Sequence, residues 1–323
     1  MDKIELLNLP KLNNLEELNH LLLFTNKQLN NFIFRKEEQY VSFRIPKKNS
    51  NEKRVINAPK KYLRMAQKII LREILDKIPC SDVAMAFIRG RNGLLENAKM
   101  HCEQEFLLKF DFSNFFQCIK YDKVKELFIE IGYTSIVSEY LAELCTYCKE
   151  LPQGGICSPC LSNLVCIKLD NGLKEYCNQR NIKYTRYADD LFFSSNEKDI
   201  LLELKNNIEQ IIAPYRTPYF DIQINKRKTK FIQEPWYKKI TGITINNKGI
   251  KVPQKLKREI RKELYYTILK NKTDYSKLIG QISFVISVEQ NYGLKVKEYV
   301  SYVCEKHQIK NSVIVKTLNK MIK

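Results

Sequence analysis

Glycine and proline are scarce, at ten each in 323 residues, and no internal repeat, low-complexity tract or long linker breaks the chain. Lobes built from it are expected to pack against one another rather than swing on tethers. Long apolar runs are missing too. Leu21-Leu22-Leu23-Phe24 falls far short of the ~20 residues that cross a bilayer, and no later segment approaches that length. Met1-Asp2-Lys3-Ile4-Glu5 carries both charge signs, and no apolar stretch follows before Pro10. That start is unlike a secretory signal, so a cytosolic protein with no membrane partner is expected. Apolar side chains are present in quantity, at 44% of residues, enough for one sizeable core and two or three lobes.

Acidic residues run short toward the C-terminus. Residues 226–323 hold 23 basic and 7 acidic side chains, a balance of +16 out of a total of +19. Such a surface either keeps a lobe soluble or grips a polyanion. Ten cysteines without a secretory signal read as reduced thiols. Cys145-x2-Cys148 and Cys157-x2-Cys160 raise the question of structural zinc. The gap between them is shorter than in a usual zinc ribbon, and the second pair brackets Ser158-Pro159, a helix start. Buried free thiols are the favoured account.

Leucines 15, 18 and 22 mark helices in the first forty residues. Val41–Pro46 and Arg54–Asn57 alternate like two strands, with Lys47–Lys53 as their turn. Tyr62–Ile78 carries a helical apolar stripe that Pro79 ends. Phe106–Phe110 reads as a buried strand ending at Asp111, and a helix with Val124, Leu127, Phe128 and Ile131 on one face stops at Gly132. Leu151–Gly155 reads as a loop, with Ser158 as N-cap and Pro159 as first residue of the next helix, which carries Leu161, Val165, Leu169 and Leu173. Ile182–Tyr187 and Leu191–Ser195 make a hairpin around Ala188-Asp189-Asp190. Leu201–Ile212 is expected as a helix, Phe220–Ile224 and Lys239–Ile245 as strands, and Asn246–Gly249 as a turn. Basic helices begin at Pro253, with Leu256, Ile260, Leu264 and Ile268 as the buried stripe.

Two adjacent carboxylates repel unless a cation lies between them. Asp189-Asp190 is either a solvated turn or a metal site, and the apolar strands around it, with Asp111 ending a third, favour metal. Three carboxylates at neighbouring strand ends suit two magnesium ions, one activating an attacking hydroxyl and one holding leaving phosphates.

Tyr187-Ala188-Asp189-Asp190, Phe110-Asp111-Phe112-Ser113-Asn114-Phe115-Phe116 and Leu151-Pro152-Gln153-Gly154-Gly155-Ile156-Cys157-Ser158-Pro159 together resemble the reverse transcriptases, in the right order. Asn225–Lys230 resembles the family's next motif, and the likeness covers about residues 54–245. Asn97-Ala98-Lys99-Met100-His101 and Ile240-Thr241-Gly242 are similar to the NAxxH and VTG boxes of bacterial retron enzymes, the latter with Ile in place of Val. The short length and the absence of endonuclease, maturase or RNase H segments disfavour intron-encoded and retroviral enzymes. Other bacterial reverse transcriptase classes, or a non-catalytic RNA-binding scaffold, are the alternatives.

The resemblance implies an α+β right-hand polymerase with an antiparallel-sheet palm, mixed fingers and a mostly helical thumb. Fingers are expected at 1–105 and 142–157, palm at 106–141 and 158–236, thumb and RNA-binding region at 237–323. It further implies that Asp111 and Asp189 bind two Mg2+ ions, with Asp190 assisting. Phe116 would be the ring that excludes a ribose 2′-OH, or core packing with Phe115 in its place. Gln153 and Gly154 would cover the incoming deoxynucleoside triphosphate. Arg54 would touch its phosphates, unless Lys53 or Lys61 does. Lys228 would donate a proton to pyrophosphate or stand as a solvated lysine, and Tyr187 would support the primer end. Asn97 and His101 would contact RNA or only pack, while Lys255, Lys257, Arg258, Arg261 and Lys262 would grip it. The implied partners are a cognate noncoding RNA primed from an internal 2′-OH, its RNA–DNA product, and an effector (toxin) protein in an anti-phage system.

Overall fold

A computed structural model describes residues 3–46, 52–233, 238–246, 249–310 and 312–322. It divides into two compact units, one of residues 1–94 and 106–231, the other of residues 95–105 and 232–323. The sequence placed 95–105 with the first lobe, whereas this segment clusters with the C-terminal unit, whose boundary also falls slightly earlier than residue 237.

The first unit opens with helices α1 (Lys3–Leu6), α2 (Leu15–Leu22) and α3 (Asn26–Phe34). Thr25 closes a capping box with Gln28 ahead of α3, so the orphan N–H groups there are met locally. Strands β1 (Tyr40–Pro46) and β2 (Lys53–Pro59) pair antiparallel, Phe43 opposite Ile56. Of the turn expected between them, residues 47–51 lie outside the described residues. Helix α4 (Lys61–Glu73) buries Leu63, Ala66, Gln67 and Ile70. It ends earlier than its apolar stripe suggested because Leu75–Lys77 tightens into a 3-10 turn. Helix α5 (Gly93–Met100) bridges the boundary between the two sequence segments.

Strand β3 (Phe106–Asp111) leads to α6 (Tyr121–Ile131), which Gly132 ends at φ +123, a conformation that suits glycine. After α7 (Ser135–Cys145), the expected single helix from Ser158 is two, α8 (Ser158–Val165) and α9 (Ile167–Asn178). Cys157, not Ser158, occupies the cap position of α8, and the buried Ser158 hydroxyl makes no hydrogen bond. A Cβ on Gly155 would stand 2.5 Å from that hydroxyl, so glycine is what lets the loop close against the helix start.

Strands β4 (Lys183–Tyr187) and β5 (Asp190–Ser195) form the expected hairpin, and β6 (Lys230–Ile232) completes a sheet in the order β4-β5-β3-β6. Helix α10 (Lys198–Ile212) follows the hairpin. The strand expected at Phe220–Ile224 is absent as a ladder. Phe220, Ile222 and Ile224 are buried as the alternation required, yet their backbone pairs in isolated bridges, Phe220 with Ile119 and Thr217, and Ile224 with Phe112. One continuous core runs through this unit from Ile4 to Ile224.

In the second unit, the strand expected at Lys239–Ile245 is a tight hairpin. Strands β7 (Lys239–Ile240) and β8 (Ile243–Asn246) reverse at Thr241 and Gly242, both at positive φ, and β9 (Gly249–Lys251) adds a third strand. Asn247 and Lys248 of the expected turn lie outside the described residues. Helices α11 (Gln254–Leu269), α12 (Ser276–Val288), α13 (Tyr292–Lys306) and α14 (Val313–Met321) form a bundle. Ile260, Leu264, Ile282, Val285, Val300, Val303 and Leu318 are buried within this unit. Among the described residues no helix is long and apolar enough to cross a membrane.

Candidate active site

The register of the four-stranded sheet builds the site. Asp111 lies directly opposite Asp190 in the β3–β5 pair, and Tyr187 lies opposite Asp190 in the β4–β5 pair. The turn between β4 and β5 is closed by Ala188 at φ +57, a left-handed conformation that costs an alanine roughly 1–2 kcal/mol. The Asp189 carbonyl accepts from the Phe112 N–H at 2.9 Å, and the Asp111 carbonyl accepts from the Asn225 N–H at 2.8 Å. All three aspartates therefore stand at one end of one sheet.

Two of the three carboxylates are held by lysines. Lys228 Nζ donates to both Asp111 oxygens, at 2.8 and 3.0 Å, and Lys109 Nζ donates to Asp190 Oδ2 at 2.6 Å. Lys109 and Asp111 share a face of β3, being two residues apart. Burial, and then the nearby Asp111 charge, push the Asp189 carboxyl above the ordinary carboxylate range. Asp190 is raised to about 6, chiefly by burial, with Lys109 opposing. For Lys228 burial works downward, but the Asp111 carboxylate more than offsets it and the ammonium is held above its usual value.

As these side chains stand, no three His, Cys, Asp or Glu groups among the described residues converge closely enough to hold a metal. Asp111 and Asp190 are instead ion-paired with Lys228 and Lys109. The donor set nonetheless fits a hard divalent cation, since it offers carboxylate oxygens only, at neighbouring and largely buried positions. Of the four cysteines weighed for zinc, Cys145, Cys157 and Cys160 are buried and Cys148 is exposed.

The other expected residues divide. Gln153 and Gly154 pack on β2, the Asn57 N–H donating 2.7 Å to the Gln153 carbonyl. Gly154 sits at φ +112, where a Cβ would meet Asn57 O at 2.9 Å. Arg54, exposed on the same strand, is near enough to Asp189 to lower its carboxyl. Phe115 is buried and stacks on Phe112, ring centroids 5.8 Å apart, whereas Phe116 is half-buried against the exposed Phe87 at 6.5 Å. Asn97 and His101, expected either to contact RNA or to pack, are both buried. In α11, Lys255, Arg258, Arg261 and Lys262 are exposed. Lys257 differs: it is half-buried and ion-paired with Glu289 at 2.6 Å, so it is no free surface cation.

Some functional candidates escaped the sequence reading. Between α11 and α13 runs a groove of about 650 Å³ whose lining includes Arg258, Arg261, Lys295, Tyr292, Tyr299 and Tyr302, with the Arg261 guanidinium 4.4 Å from the Tyr299 ring centre. The three tyrosines lie on α13 and the two arginines on α11, so only the packing of those helices brings them together. Arg186 and Asp170, a fully buried ion pair behind the acidic turn, were also missed. Neither residue stands out in its own segment, Lys183–Tyr187 or Ile167–Asn178, both of which carry other polar side chains.

Residues 45–251 match the family model described as reverse transcriptase (RNA-dependent DNA polymerase). The chain is 29% identical over 302 residues to the retron Ec86 reverse transcriptase of Escherichia coli, covering 93% of this chain and 92% of that one. It is 26% identical to the retron Mx162 reverse transcriptase of Myxococcus xanthus, covering 80% of this chain and 59% of that one. Among solved structures, a telomerase from Candida tropicalis in complex with a fragment of telomeric RNA aligns with a TM-score of 0.50 at 13% identity, over 88% of this chain and 59% of that one. That likeness concerns the fold alone, and it agrees with a right-hand polymerase of mixed helix and antiparallel sheet.

Proposed function

Because the chain belongs to the reverse transcriptase family, with its similarity pointing to the bacterial retron enzymes, we propose that this RNA-directed DNA polymerase copies part of a cognate noncoding RNA into single-stranded DNA. The observation that carries the reading is the pairing of Asp111 with Asp190 across β3 and β5, with Asp189 in the strained turn beside them. In this proposal Asp111 and Asp189 hold two Mg2+ ions and Asp190 assists. Bound there, the metal would lower the pKa of the attacking hydroxyl and neutralise charge on the phosphates.

The chain's own side chains supply the remaining work. An RNA 2′-OH, and after it each 3′-OH, attacks the α-phosphorus of a deoxynucleoside triphosphate while the bond to pyrophosphate breaks. Lys228 Nζ, which reaches the Asp111 carboxylate, donates the proton that the leaving pyrophosphate takes up. Arg54 pairs with the triphosphate, and Gly154 lets the backbone with Gln153 lie close over the nucleotide. The half-exposed ring of Phe116 occupies the space of a 2′-OH, and Tyr187 supports the primer end.

The basic, tyrosine-lined groove of the C-terminal unit suits recognition of RNA by phosphate pairing and by stacking on unpaired bases. The RNA–DNA product stays bound, and in the proposed anti-phage role the complex restrains a toxic effector protein. Purifying the protein with its nucleic acid tests the whole reading. DNA joined to RNA through a 2′-5′ bond is the expected cargo, and RNA alone from an active enzyme would contradict it.

A further inference from the structure

Behind the catalytic turn, Arg186 is fully buried. Its guanidinium serves Asp170, Asn163 and Ala188 together. Nε and Nη2 donate to the two Asp170 oxygens at 2.8 and 2.6 Å, and Nη1 donates to Asn163 Oδ1 and the Ala188 carbonyl, both at 3.1 Å. Two of these partners are tied in turn. Tyr184 donates its hydroxyl to Asp170 Oδ1 at 3.0 Å, and Asn163 Nδ2 donates to the Ala86 carbonyl at 2.8 Å. The Arg186 backbone is also fixed, its N–H donating to Val83 O at 2.9 Å and its carbonyl accepting from Met85 N–H at 2.8 Å.

The elements joined this way are those the reaction needs. Ala188 is the left-handed residue immediately before Asp189. Asn163 lies on α8, the helix that follows the Gln153-Gly154 loop, and Ala86 precedes Phe87, the ring against Phe116. A residue held in a sparsely populated backbone region persists only where its surroundings over-determine it. Here the surroundings are the guanidinium on the Ala188 carbonyl. A buried charge in this place contributes little net stability compared with a packed apolar pair, so its geometry is the more telling property.

We propose that Arg186, oriented by Asp170 and Asn163, is a positioning residue for nucleotidyl transfer: by clamping the Ala188 carbonyl it fixes the turn that presents Asp189, and it links that turn to the segment behind the sugar-screening ring. Arginine is required because a planar fork serves the two Asp170 oxygens, Asn163 and Ala188 at once, whereas one ammonium does not. The inference rests on the polymerase reading of the site.

The test compares Arg186→Lys with the double variant Arg186→Met plus Asp170→Asn, which leaves no unpaired charge in the core. Both are measured on a pre-annealed primer and RNA template for melting temperature, primer–template Kd, single-turnover rate constant and nucleotide KM. Wild-type protein that extends no primer would overturn the polymerase reading itself. Given wild-type extension, both variants are expected to bind primer–template as wild type does. Their rate constant per folded molecule should fall by roughly 10- to 100-fold, the scale of a misplacement near 1 Å, with nucleotide KM little changed. A merely structural arginine would lower the folded fraction and leave that rate constant intact. A wild-type rate constant in either variant, measured on its folded fraction, overturns the proposal.

Discussion

Replacing Phe116 by alanine separates sugar selection from folding, because the two neighbouring rings have different surroundings. Phe115 is buried, stacked on Phe112 and 6.0 Å from the Arg186 guanidinium. Truncating it opens a core cavity, which for a buried phenylalanine costs about 3–5 kcal/mol. Phe116 is half-buried and leans on Phe87, so its truncation costs less and leaves the fold standing. If its ring fills the space of a ribose 2′-OH, admitting that hydroxyl demands overpacking of about 1–3 kcal/mol. The corresponding discrimination in kcat/KM is roughly 5- to 160-fold. Phe116→Ala should lose that factor, read by primer extension with each ribonucleotide against its deoxy counterpart, while its melting temperature stays closer to wild type than that of Phe115→Ala. Unchanged discrimination in Phe116→Ala, with loss in a folded Phe115→Ala, would refute the assignment.

Other consequences can be checked in parallel. Lys228→Arg keeps a cation beside Asp111 but yields no proton, so synthesis should slow by roughly 10²-fold; wild-type speed would remove the proton-donor role. Changing the exposed Lys255, Arg258, Arg261 and Lys262 to Gln should flatten the slope of log affinity against log salt by roughly 0.7–0.9 for each phosphate no longer neutralised. Synthesis on a pre-annealed generic template should survive at saturation, and an unmoved salt slope would exclude these residues from RNA binding. Asp190 binds its proton more tightly folded than unfolded, with a value of about 6 against 3.8. Without metal its contribution is favourable below that window and is lost as pH rises through it. Mg2+ should therefore raise the melting temperature more at about pH 7.5 than at about pH 4.5, and equal shifts would contradict the carboxylate site.

Local pattern made much of the site legible. A short apolar run located β3, and the acidic turn between apolar strands located the β4–β5 hairpin and its carboxylates. Phe220–Ile224 shows the limit: its alternation correctly buries three side chains, but a ladder needs a partner strand, which spacing does not disclose. Lys239–Ile245 likewise reads as one apolar strand, while Thr241 and Gly242 at positive φ fold it into two. Long-range pairs were hidden for the same reason. Nothing local announces that Lys109 meets Asp190, that Lys257 meets Glu289, or that Asp170 meets Arg186 across sixteen positions. The burial of Asn97 and His101 is a tertiary fact as well, since nothing local to the amide on α5 or to the imidazole just after it shows which side is covered.

The central claim is that the aspartates at the end of the β3–β5 pair perform DNA synthesis. The most direct measurement is incorporation of deoxynucleotides on a pre-annealed RNA template with Mg2+, for wild type, Asp189→Asn and Asp111→Ala, alongside the RNA affinity of each. A lost metal site removes several kcal/mol of transition-state stabilisation, and ~4 kcal/mol corresponds to ~10³ in rate. The account predicts synthesis by wild type, a fall of at least ~10³-fold in both variants, and RNA affinity that barely changes. Either variant making DNA above about a thousandth of the wild-type rate would contradict it.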